Sequence, residues 1–265
     1  MSGDQRPGVP IAEPLIRMRN LRKVYRRKRE EFLAVSDVTM DVYPGDLVSL
    51  MGPSGCGKTT LLKILSGLQG YDGGTLEVGG ADSANFNAGR DIGMVFQQPL
   101  LLKWRNVLDN VLLPADILGL DRARSRERAH QLLEMVGLAG FDQKFPYELS
   151  GGMQQRAAIA RALIHEPRLV LMDEPFGALD ALTREKMNME MLRIWAESRT
   201  TFVLVTHSIQ EAVFLGSRCA VLTAGPARMA DVFAIELEEP RRLQVKTSPE
   251  FGEYVRRIYE LLGVE

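Results

Sequence analysis

The run GPSGCGKTT, residues 52–60, constrains this chain more than any other stretch of its sequence. Through Thr59 it fits the pattern G-x-x-x-x-G-K-[ST] in full. The apolar segment DLVSLM precedes it, and TTLLKILSGLQG, which has helical spacing and a glycine end, continues from it. This context predicts a strand, a glycine-rich turn and a helix, the unit with which an α/β fold binds phosphate. We call residues 52–60 the phosphate turn.

Phosphate binding explains the residue types in this turn. Glycines let successive backbone N–H groups face an oxyanion, and the following helix adds its positive end. Lys58 is expected to reach the terminal phosphates of a nucleotide, and the Thr59 hydroxyl is expected to bind Mg²⁺. The thiol of Cys56 is not required to touch the ligand. We predict that the cofactor-binding residues of this turn are Gly52, Pro53, Ser54, Gly55, Cys56, Gly57, Lys58, Thr59 and Thr60.

An acidic pair follows the apolar run LVLM, where Asp173 and Glu174 end a predicted strand. Ligands of open α/β sheets lie at the carboxyl ends of the strands. Asp173 is predicted to hold the metal, and Glu174 to orient or deprotonate the attacking water. Together, the phosphate turn and this acidic pair predict a nucleoside triphosphatase. A small-molecule kinase, a helicase-like motor and a switch GTPase stay open at this point, although the lack of an N-K-x-D segment counts against the GTPase.

The rest of the chain reads as one α/β domain with a helical insertion. Further strands are expected in LIRMRNLRKVY, DVTMDVYPGD, GTLEVGG, IGMVFQQ and TTFVLVTH. We predict a flexible N-terminal tail at 1–13, a main domain at 14–230 with a helical subdomain inserted at about 99–165, and a short C-terminal extension at 231–265. The extension should end in a helix capped by Ser248 and Gly263. One helical face in the insertion is predicted to carry Leu100, Trp104, Val107, Leu108 and Val111.

Composition limits the partners and the compartment. Lys and Arg number 33 against 34 Asp and Glu, a net charge of −1, which does not support a general nucleic-acid binder. Two cysteines are too few for a disulfide framework and agree with a reducing, cytosolic compartment. The first residues lack the apolar region of a secretory signal, and no stretch approaches the roughly 18 apolar residues that span a bilayer. Work at a membrane would need another polypeptide to cross it.

A second glycine turn, LSGG, lies in LSGGMQQR at residues 149–156 and is followed by a helical run. With the segments above, it resembles the ATP-binding-cassette (ABC) ATPases over nearly the whole chain. The resemblance implies a P-loop NTPase core, a RecA-like mixed sheet, with an antiparallel β subdomain and an inserted α-helical subdomain. The main domain would be the ABC ATPase domain, with ATP and Mg²⁺ as cofactors.

Single residues of the family's motifs also match. Gln97 in VFQQP resembles the glutamine of the family's Q-loop, which binds metal and water, and Asp180 in GALD resembles its D-loop aspartate. His207 in VTHS resembles the switch histidine, which contacts the γ-phosphate and orients Glu174. Tyr25 lies where the family places an aromatic ring against adenine. Catalysis is therefore assigned to Glu174, His207 and Lys58, and the metal to Thr59, Gln97 and Asp173.

The resemblance also explains why one chain has two glycine turns. Two cassettes pack head to tail, and each ATP lies between the phosphate turn of one and the signature turn (residues 149–154) of the other. A hydroxyl and bare N–H groups at a helix start would bind the γ-phosphate. The signature-side cofactor residues are Ser150, Gly151, Gly152 and Gln154, with Asp180 of the D-loop.

Three segments resemble the importer branch for nitrate, sulfonates and taurine: VFQQPLLLKWRNVLDNV, DEPFGALDALTREKM and TSPEF. That branch implies a second ATPase subunit, expected to be another copy of this chain, a separate membrane permease, and indirectly an extracytoplasmic solute-binding protein. The chain would then lie at the cytoplasmic face of the inner membrane. The alternatives are the ATPase of an exporter or lipid-transport complex, and a soluble cassette ATPase in DNA maintenance or translation.

Overall fold

The computed structural model describes residues 13–27, 30–79, 81–82 and 87–263. The predicted flexible tail lies outside these residues except for Glu13. The strands of the described chain are β1 Ile16–Arg27, β2 Glu30–Val42, β3 Leu47–Met51, β4 Gly73–Val78, β5 Ala81–Asp82, β6 Ile92–Val95, β7 Leu169–Asp173, β8 Thr201–Thr206, β9 Arg218–Leu222 and β10 Met229–Ala234. Its helices are α1 Lys58–Leu65, α2 Ala88–Asp91, α3 Val107–Ile117, α4 Arg122–Met135, α5 Gly151–Leu163, α6 Ala181–Ser198, α7 Ile209–Leu215 and α8 Pro249–Leu262.

The strands form two sheets, and their arrangement confirms the predicted fold class. An antiparallel sheet has the order β2-β1-β4-β5, and a mixed sheet has the order β10-β9-β3-β8-β7-β6. All neighbours in the mixed sheet run parallel except β10 beside β9. Every residue of β3 and β8 is buried, because helices or the other sheet cover both faces of these strands.

Parallel pairing brings four motifs to one edge of the mixed sheet. Met51 at the end of β3 lies opposite Thr206 at the end of β8. Asp173 at the end of β7 pairs with Val205, and Val95 at the end of β6 pairs with Met172. The segments that leave these ends therefore start side by side, and this edge is where an α/β sheet binds ligands.

The helical face predicted from Leu100 is wrong at its start. The helix α3 begins at Val107, and residues 100 and 104 precede it with Leu100 55% and Trp104 75% exposed. Asn106 starts the helix, because its side chain accepts a hydrogen bond from the Asp109 N–H at 2.7 Å. Leu100 also has a positive φ of 47°, which no helix tolerates. Val107, Leu108 and Val111 are buried, as expected.

The last helix, α8, begins and ends at the predicted residues. Ser248 caps α8 by accepting from the Phe251 N–H at 3.2 Å, and Gly263 ends it with a φ of 65°. The boundary expected at residue 231 falls within β10, so the segment beyond the sheet begins at 235. We call residues 235–263 the C-terminal segment. Among the described residues, no helix has both the length and the apolar character needed to cross a bilayer.

Candidate functional site

The phosphate turn joins β3 to α1, and steric contact fixes its shape. A Cβ on Gly57 would lie 2.7 Å from the carbonyl oxygen of Ala34, and one on Gly52 would lie 2.8 Å from that of Leu222. Gly55 and Gly57 also have φ values of 75° and 120°. A side chain at Gly52 or Gly57 would displace neighbouring backbone, so the turn needs glycine here for packing as well as for its curvature.

Lys58 opens α1, and its charge lies within the turn. The side chain is buried, and Nζ donates to the carbonyl oxygens of Gly52 at 2.7 Å and Pro53 at 2.9 Å. These acceptors keep the ammonium group paired. The first N–H groups of α1 have no carbonyl partner of their own within the helix and can serve an anion. Cys56 is only 2% exposed and belongs to the core, and its Sγ would lie 3.0 Å from a Cβ on Gly52.

Thr59 and Asp173 meet across the end of the sheet. The Thr59 hydroxyl donates to Oδ1 of Asp173 at 3.3 Å. Burial raises the pKa of the Asp173 carboxyl above its ordinary value, the hydrogen bond from Thr59 opposes this rise, and the nearby charge of Glu174 adds to it. A nearby cation would stabilise the charged form of this half-buried carboxylate, and the Thr59 hydroxyl lies beside it as a second oxygen.

Glu174 and His207 form the second polar pair at this edge. Glu174 has a left-handed backbone with a φ of 46°, which is uncommon for a residue with a side chain and turns it out of the strand direction. Its N–H still donates to the carbonyl of Val205 at 3.0 Å, so its backbone is anchored to β8. Oε2 of Glu174 lies 3.1 Å from Nδ1 of His207. Two of the three residues assigned to catalysis, Glu174 and His207, are therefore in direct contact.

Gln97 and Tyr25 flank these pairs. Gln97 follows β6, and its Nε2 would be 3.3 Å from a Cβ on Gly177. The N–H of Gly177 in turn donates to the carbonyl of Glu174 at 3.1 Å. Gln97 is therefore beside the turn that carries Glu174. Tyr25 on β1 is 36% exposed, and its hydroxyl lies 3.5 Å from Oγ1 of Thr60. The ring is thus placed next to the first turn of α1.

The signature turn begins α5. Ser150 is its N-cap and accepts from the Met153 N–H at 3.3 Å. Gln154 turns its amide back, so that Nε2 donates to the carbonyls of Pro146 at 2.9 Å and Leu149 at 3.3 Å. The amide nitrogen of Gln154 therefore braces the turn. The hydroxyl of Ser150 and the N–H groups of the first helical turn stay at its exposed start.

The signature turn packs beside α6 and away from the phosphate turn. Cβ atoms on Gly151 and Gly152 would lie 3.7 Å from Leu179 Cδ2 and 3.2 Å from Thr183 Cγ2. Asp180 caps α6 by accepting from the Thr183 N–H at 3.1 Å, and hydrogen bonds from the Thr183 side chain and from this N–H lower the pKa of its carboxyl. Across the described residues, no hydrogen bond or ion pair joins the signature turn to the phosphate turn. The structure brings together every predicted site residue except those of the signature turn and Asp180.

Two residues near the site were missed by sequence reasoning. Arg184 donates to the carbonyls of Phe176 at 3.2 Å and Leu179 at 2.9 Å, and so holds the segment between Glu174 and α6. Glu211 is buried in the same small cavity as Glu174 and His207, and burial raises the pKa of its carboxyl. A glutamate within the apolar run IQEAVFL was the available signal for Glu211. Arg184 in an ordinary polar helix gave none.

Sequence comparisons agree with this geometry. A family model described as ABC transporter matches residues 35–177. An uncharacterised ABC transporter ATP-binding protein of Methanocaldococcus jannaschii is 44% identical over 250 residues, which cover 94% of this chain and 92% of that protein. Taurine import ATP-binding proteins TauB are also similar: that of Jannaschia is 44% identical over 87% of this chain and 86% of its own, and that of Escherichia coli is 40% identical over 86% and 92%.

Solved structures are similar in fold as well as in sequence. The dimeric ATP-binding cassette MJ0796, in a post-hydrolysis state bound to ADP and Pi, superposes with a TM-score of 0.72 at 32% identity. The match covers 84% of this chain and all of that one. The fold, the motifs gathered at the sheet edge and these similarities agree. The chain belongs to the ABC transporter family and is an ABC ATPase that binds ATP.

Proposed function

We propose that this chain hydrolyses Mg-ATP between two copies of itself and energises the import of a small sulfonate of the taurine type through a separate permease. The observation that carries the hydrolytic part is the common sheet edge. At this edge, the ends of neighbouring strands and the segments that follow them carry Lys58, the Thr59–Asp173 pair and the Glu174–His207 pair. The solute class rests on the taurine import relatives.

The residues present fit a magnesium ion held together with a nucleotide. Mg²⁺ takes one or two protein oxygens and completes its shell with water and phosphate. The Thr59 hydroxyl and the Asp173 carboxylate are 3.3 Å apart and supply such oxygens, with Gln97 nearby. Within the described part of the chain, no group of three or more His, Cys, Asp and Glu side chains could hold a metal by itself. When bound, the ion would neutralise phosphate charge.

The chain's own residues divide the remaining work. Lys58 and the N–H groups of the phosphate turn hold the phosphates. Glu174 accepts the proton of the attacking water, because it is a carboxylate at the mouth of the site. His207 donates from Nδ1 to Glu174 and so keeps that carboxylate in place. Tyr25 offers its ring to the adenine base.

A second copy completes the site. The signature turn carries an exposed hydroxyl and helix N-terminal N–H groups, yet it lies apart from the phosphate turn of its own chain. Dimeric cassettes are found among the similar structures. We infer that the signature turn of one copy closes on the γ-phosphate held by the other, so that ATP links the copies and hydrolysis releases them.

The permease should contact the surface between Gln97 and α5. Leu100 and Trp104 are exposed there, and Tyr147, 74% exposed, lies on the neighbouring segment and stacks on Phe145. Arg161 of α5 donates to the carbonyls of Pro99 and Leu100 at 2.7 and 2.8 Å, which ties this surface to the residues after Gln97. Exposed aromatic side chains of this kind favour a protein partner. The chain would then lie at the cytoplasmic face of the inner membrane.

The experiment starts from native membranes. A tagged Glu174→Gln chain is purified in mild detergent with Mg-ATP, and the retained proteins are identified by mass spectrometry. We expect a polytopic membrane protein, together with a solute-binding protein. The wild-type complex is then reconstituted into vesicles, where the binding protein and ATP should drive accumulation of labelled taurine. A Lys58→Ala complex is the matched control and should accumulate none.

The outcomes separate the parts of the proposal. Retention of soluble proteins or nucleic acid alone would contradict the transport role and leave the ATPase chemistry in place. Accumulation of nitrate but of no sulfonate would contradict the solute class. Export of taurine from the vesicles would contradict the direction.

A further inference from the structure

His207 is fixed to the start of α7. The Thr206 hydroxyl accepts from the Ser208 N–H at 3.0 Å, and the Ser208 hydroxyl accepts from the Glu211 N–H at 3.3 Å. With only Ser208 between His207 and the first residue of α7, a shift of this short helix moves the imidazole as well. The contacts that hold α7 therefore determine where His207 lies.

Arg241 of the C-terminal segment holds the other end of α7. Its side chain is 2% exposed, and Nη1 donates to the carbonyls of Val213 at 3.3 Å, Phe214 at 2.9 Å and Gly216 at 2.8 Å. The last carbonyls of a helix have no partner within it, and a cation at this end is also favoured by the helix dipole. A residue outside the ATPase motifs thus caps the helix that begins beside His207.

Lys246 provides a second contact and joins two helices. Its Nζ lies 2.7 Å from Oε1 of Glu185 on α6 and 4.6 Å from the centre of the Phe214 ring on α7. The Lys246 side chain is 13% exposed, so solvent screens the ion pair only in part. Glu185 follows Arg184, which holds the segment after Glu174. Lys246 therefore connects α7, which begins beside His207, with α6, whose Arg184 holds the segment after Glu174.

We infer that the C-terminal segment sets the position of the catalytic histidine, with Arg241 and Lys246 as positioning residues for hydrolysis. The inference rests on the proposed role of His207. Neither cation touches the reacting atoms, and both act through α7. Small displacements of catalytic groups are costly: an error of about 1 Å lowers a rate by as much as roughly 100-fold.

The test uses the full-length chain and the variant Lys246→Met. Methionine is an unbranched side chain of similar length and removes the charge, and with it the ion pair with Glu185 and the contact of Nζ with the Phe214 ring. The NMR readout is simple because the chain has three histidines, and His207→Asn assigns the resonance of His207. We expect kcat to fall on the order of tenfold with an unchanged KM for ATP, and the His207 resonance to move while those of His130 and His165 do not.

A double-mutant cycle shows whether the ion pair is the cause. Glu185→Gln should reproduce the loss in kcat, and the double variant should lose no more than either single one, because both changes break one contact. Arg241→Lys keeps the charge but cannot reach three carbonyls, and should also lower kcat and move the His207 resonance. Glu239→Gln is its control: it breaks the ion pair with Arg241 at 2.7 Å, leaves the carbonyl contacts, and should behave as wild type.

Other results would overturn the inference. If Arg241→Lys does not fold, the result for Lys246→Met decides. An unchanged kcat and an unmoved His207 resonance in Lys246→Met would contradict the positioning role, and so would a lower melting temperature with an unmoved resonance. Hydrolysis at the normal rate by His207→Asn would contradict the catalytic role of His207 and this inference together. If His207→Asn lowers kcat but Lys246→Met leaves kcat and the His207 resonance unchanged, the positioning inference fails and the proposed role of His207 stands.

Discussion

Oε2 of Glu174 lies 3.1 Å from Nδ1 of His207, so one hydrogen bond joins the two side chains. An ionised carboxylate only accepts hydrogen bonds, so Nδ1 must carry the proton. The carboxylate that we propose as the acceptor of the water's proton is thus held by Nδ1 of His207, and Nε2 of the same ring stays available for a second hydrogen bond.

The first prediction concerns Glu174→Gln. The amide has the shape of the carboxylate but cannot accept the proton, so phosphate release should fall by about 10²–10⁴-fold while ATP still binds. Mg-ATP should then hold two copies together, which light scattering would show as a doubled mass. Glu197→Gln on α6, away from the site, should keep the wild-type rate. A monomer at saturating Mg-ATP would contradict the shared site, unless the permease is needed for assembly.

Lys58→Ala should abolish both tight phosphate binding and turnover. The change removes the buried ammonium that Gly52 and Pro53 hold in the phosphate turn. Titration with a fluorescent ATP analogue should give an affinity lower by at least about tenfold, because a charge-assisted contact is worth roughly 1.5–3 kcal/mol. Lys186→Ala on α6 provides the control. Normal hydrolysis by Lys58→Ala would refute the assignment of the turn.

Two inactive variants should become active when mixed. Ser150→Arg fills the signature turn and should stop hydrolysis without weakening ATP binding by the monomer. In a mixed dimer with Lys58→Ala, the intact phosphate turn of the first chain meets the intact signature turn of the second. ATPase assays of the mixture should recover activity that neither variant shows alone. No recovery in a mixture proven to form mixed dimers would indicate that the signature turn acts within its own chain.

Asn110 should be essential for the loop before α3, which we propose as the surface for the permease. It is completely buried, accepts from the Leu102 N–H at 2.7 Å, and donates to the carbonyls of Leu102 at 3.0 Å and Arg105 at 2.9 Å. Asn110→Asp replaces the donor with a buried charge, so the free energy of unfolding in urea should drop by about 2 kcal/mol or more. Asn106→Asp retains the cap oxygen and is the matched control, expected within about 0.5 kcal/mol of wild type. Equal stability of the two variants would contradict this role.

Cys219 should make stability fall at high pH. Burial raises the pKa of its thiol from 9.0 to about 12, with a smaller contribution from Asp231. Above its ordinary pKa the unfolded chain loses this proton while the folded chain keeps it, so this contribution is complete below pH 9 and decreases as the pH rises towards 12. Urea unfolding of Cys219→Ala should show a weaker decline over this interval. An identical decline in both proteins would disprove the contribution.

The sequence predicts those parts of the fold that depend on residues close together in the chain. Ser248 and Gly263 mark both ends of α8, and continuous apolar runs mark β7 and β8, because caps and buried parallel strands need these residue types wherever they occur. Leu100 and Trp104 were misplaced because the helix start depends on Asn106 and on a positive φ, which apolar spacing does not encode. The predicted division into tail, main domain and extension stays a prediction.

Long-range polar contacts could not be predicted from the sequence, for a different reason. Arg241 donates to carbonyls that lie 25 to 28 positions earlier in the chain, at the end of α7, and only folding brings these groups together. An arginine in the string EEPRRLQ looks like any solvated cation. The motif residues of the site were predicted because phosphate chemistry fixes their type and spacing, whereas their supports are defined only by position in space.

The tight fit of Gly52 and Gly57 against the carbonyls of Leu222 and Ala34 has a consequence for the evolution of such chains. Mutation at either position would be selected against by folding itself, even in a duplicated copy that no longer turned over nucleotide. The glycines of the phosphate turn would therefore outlast the loss of activity, while Glu174 and His207 would be free to drift. An inactive paralogue of this chain should be recognised by changes in that exposed pair.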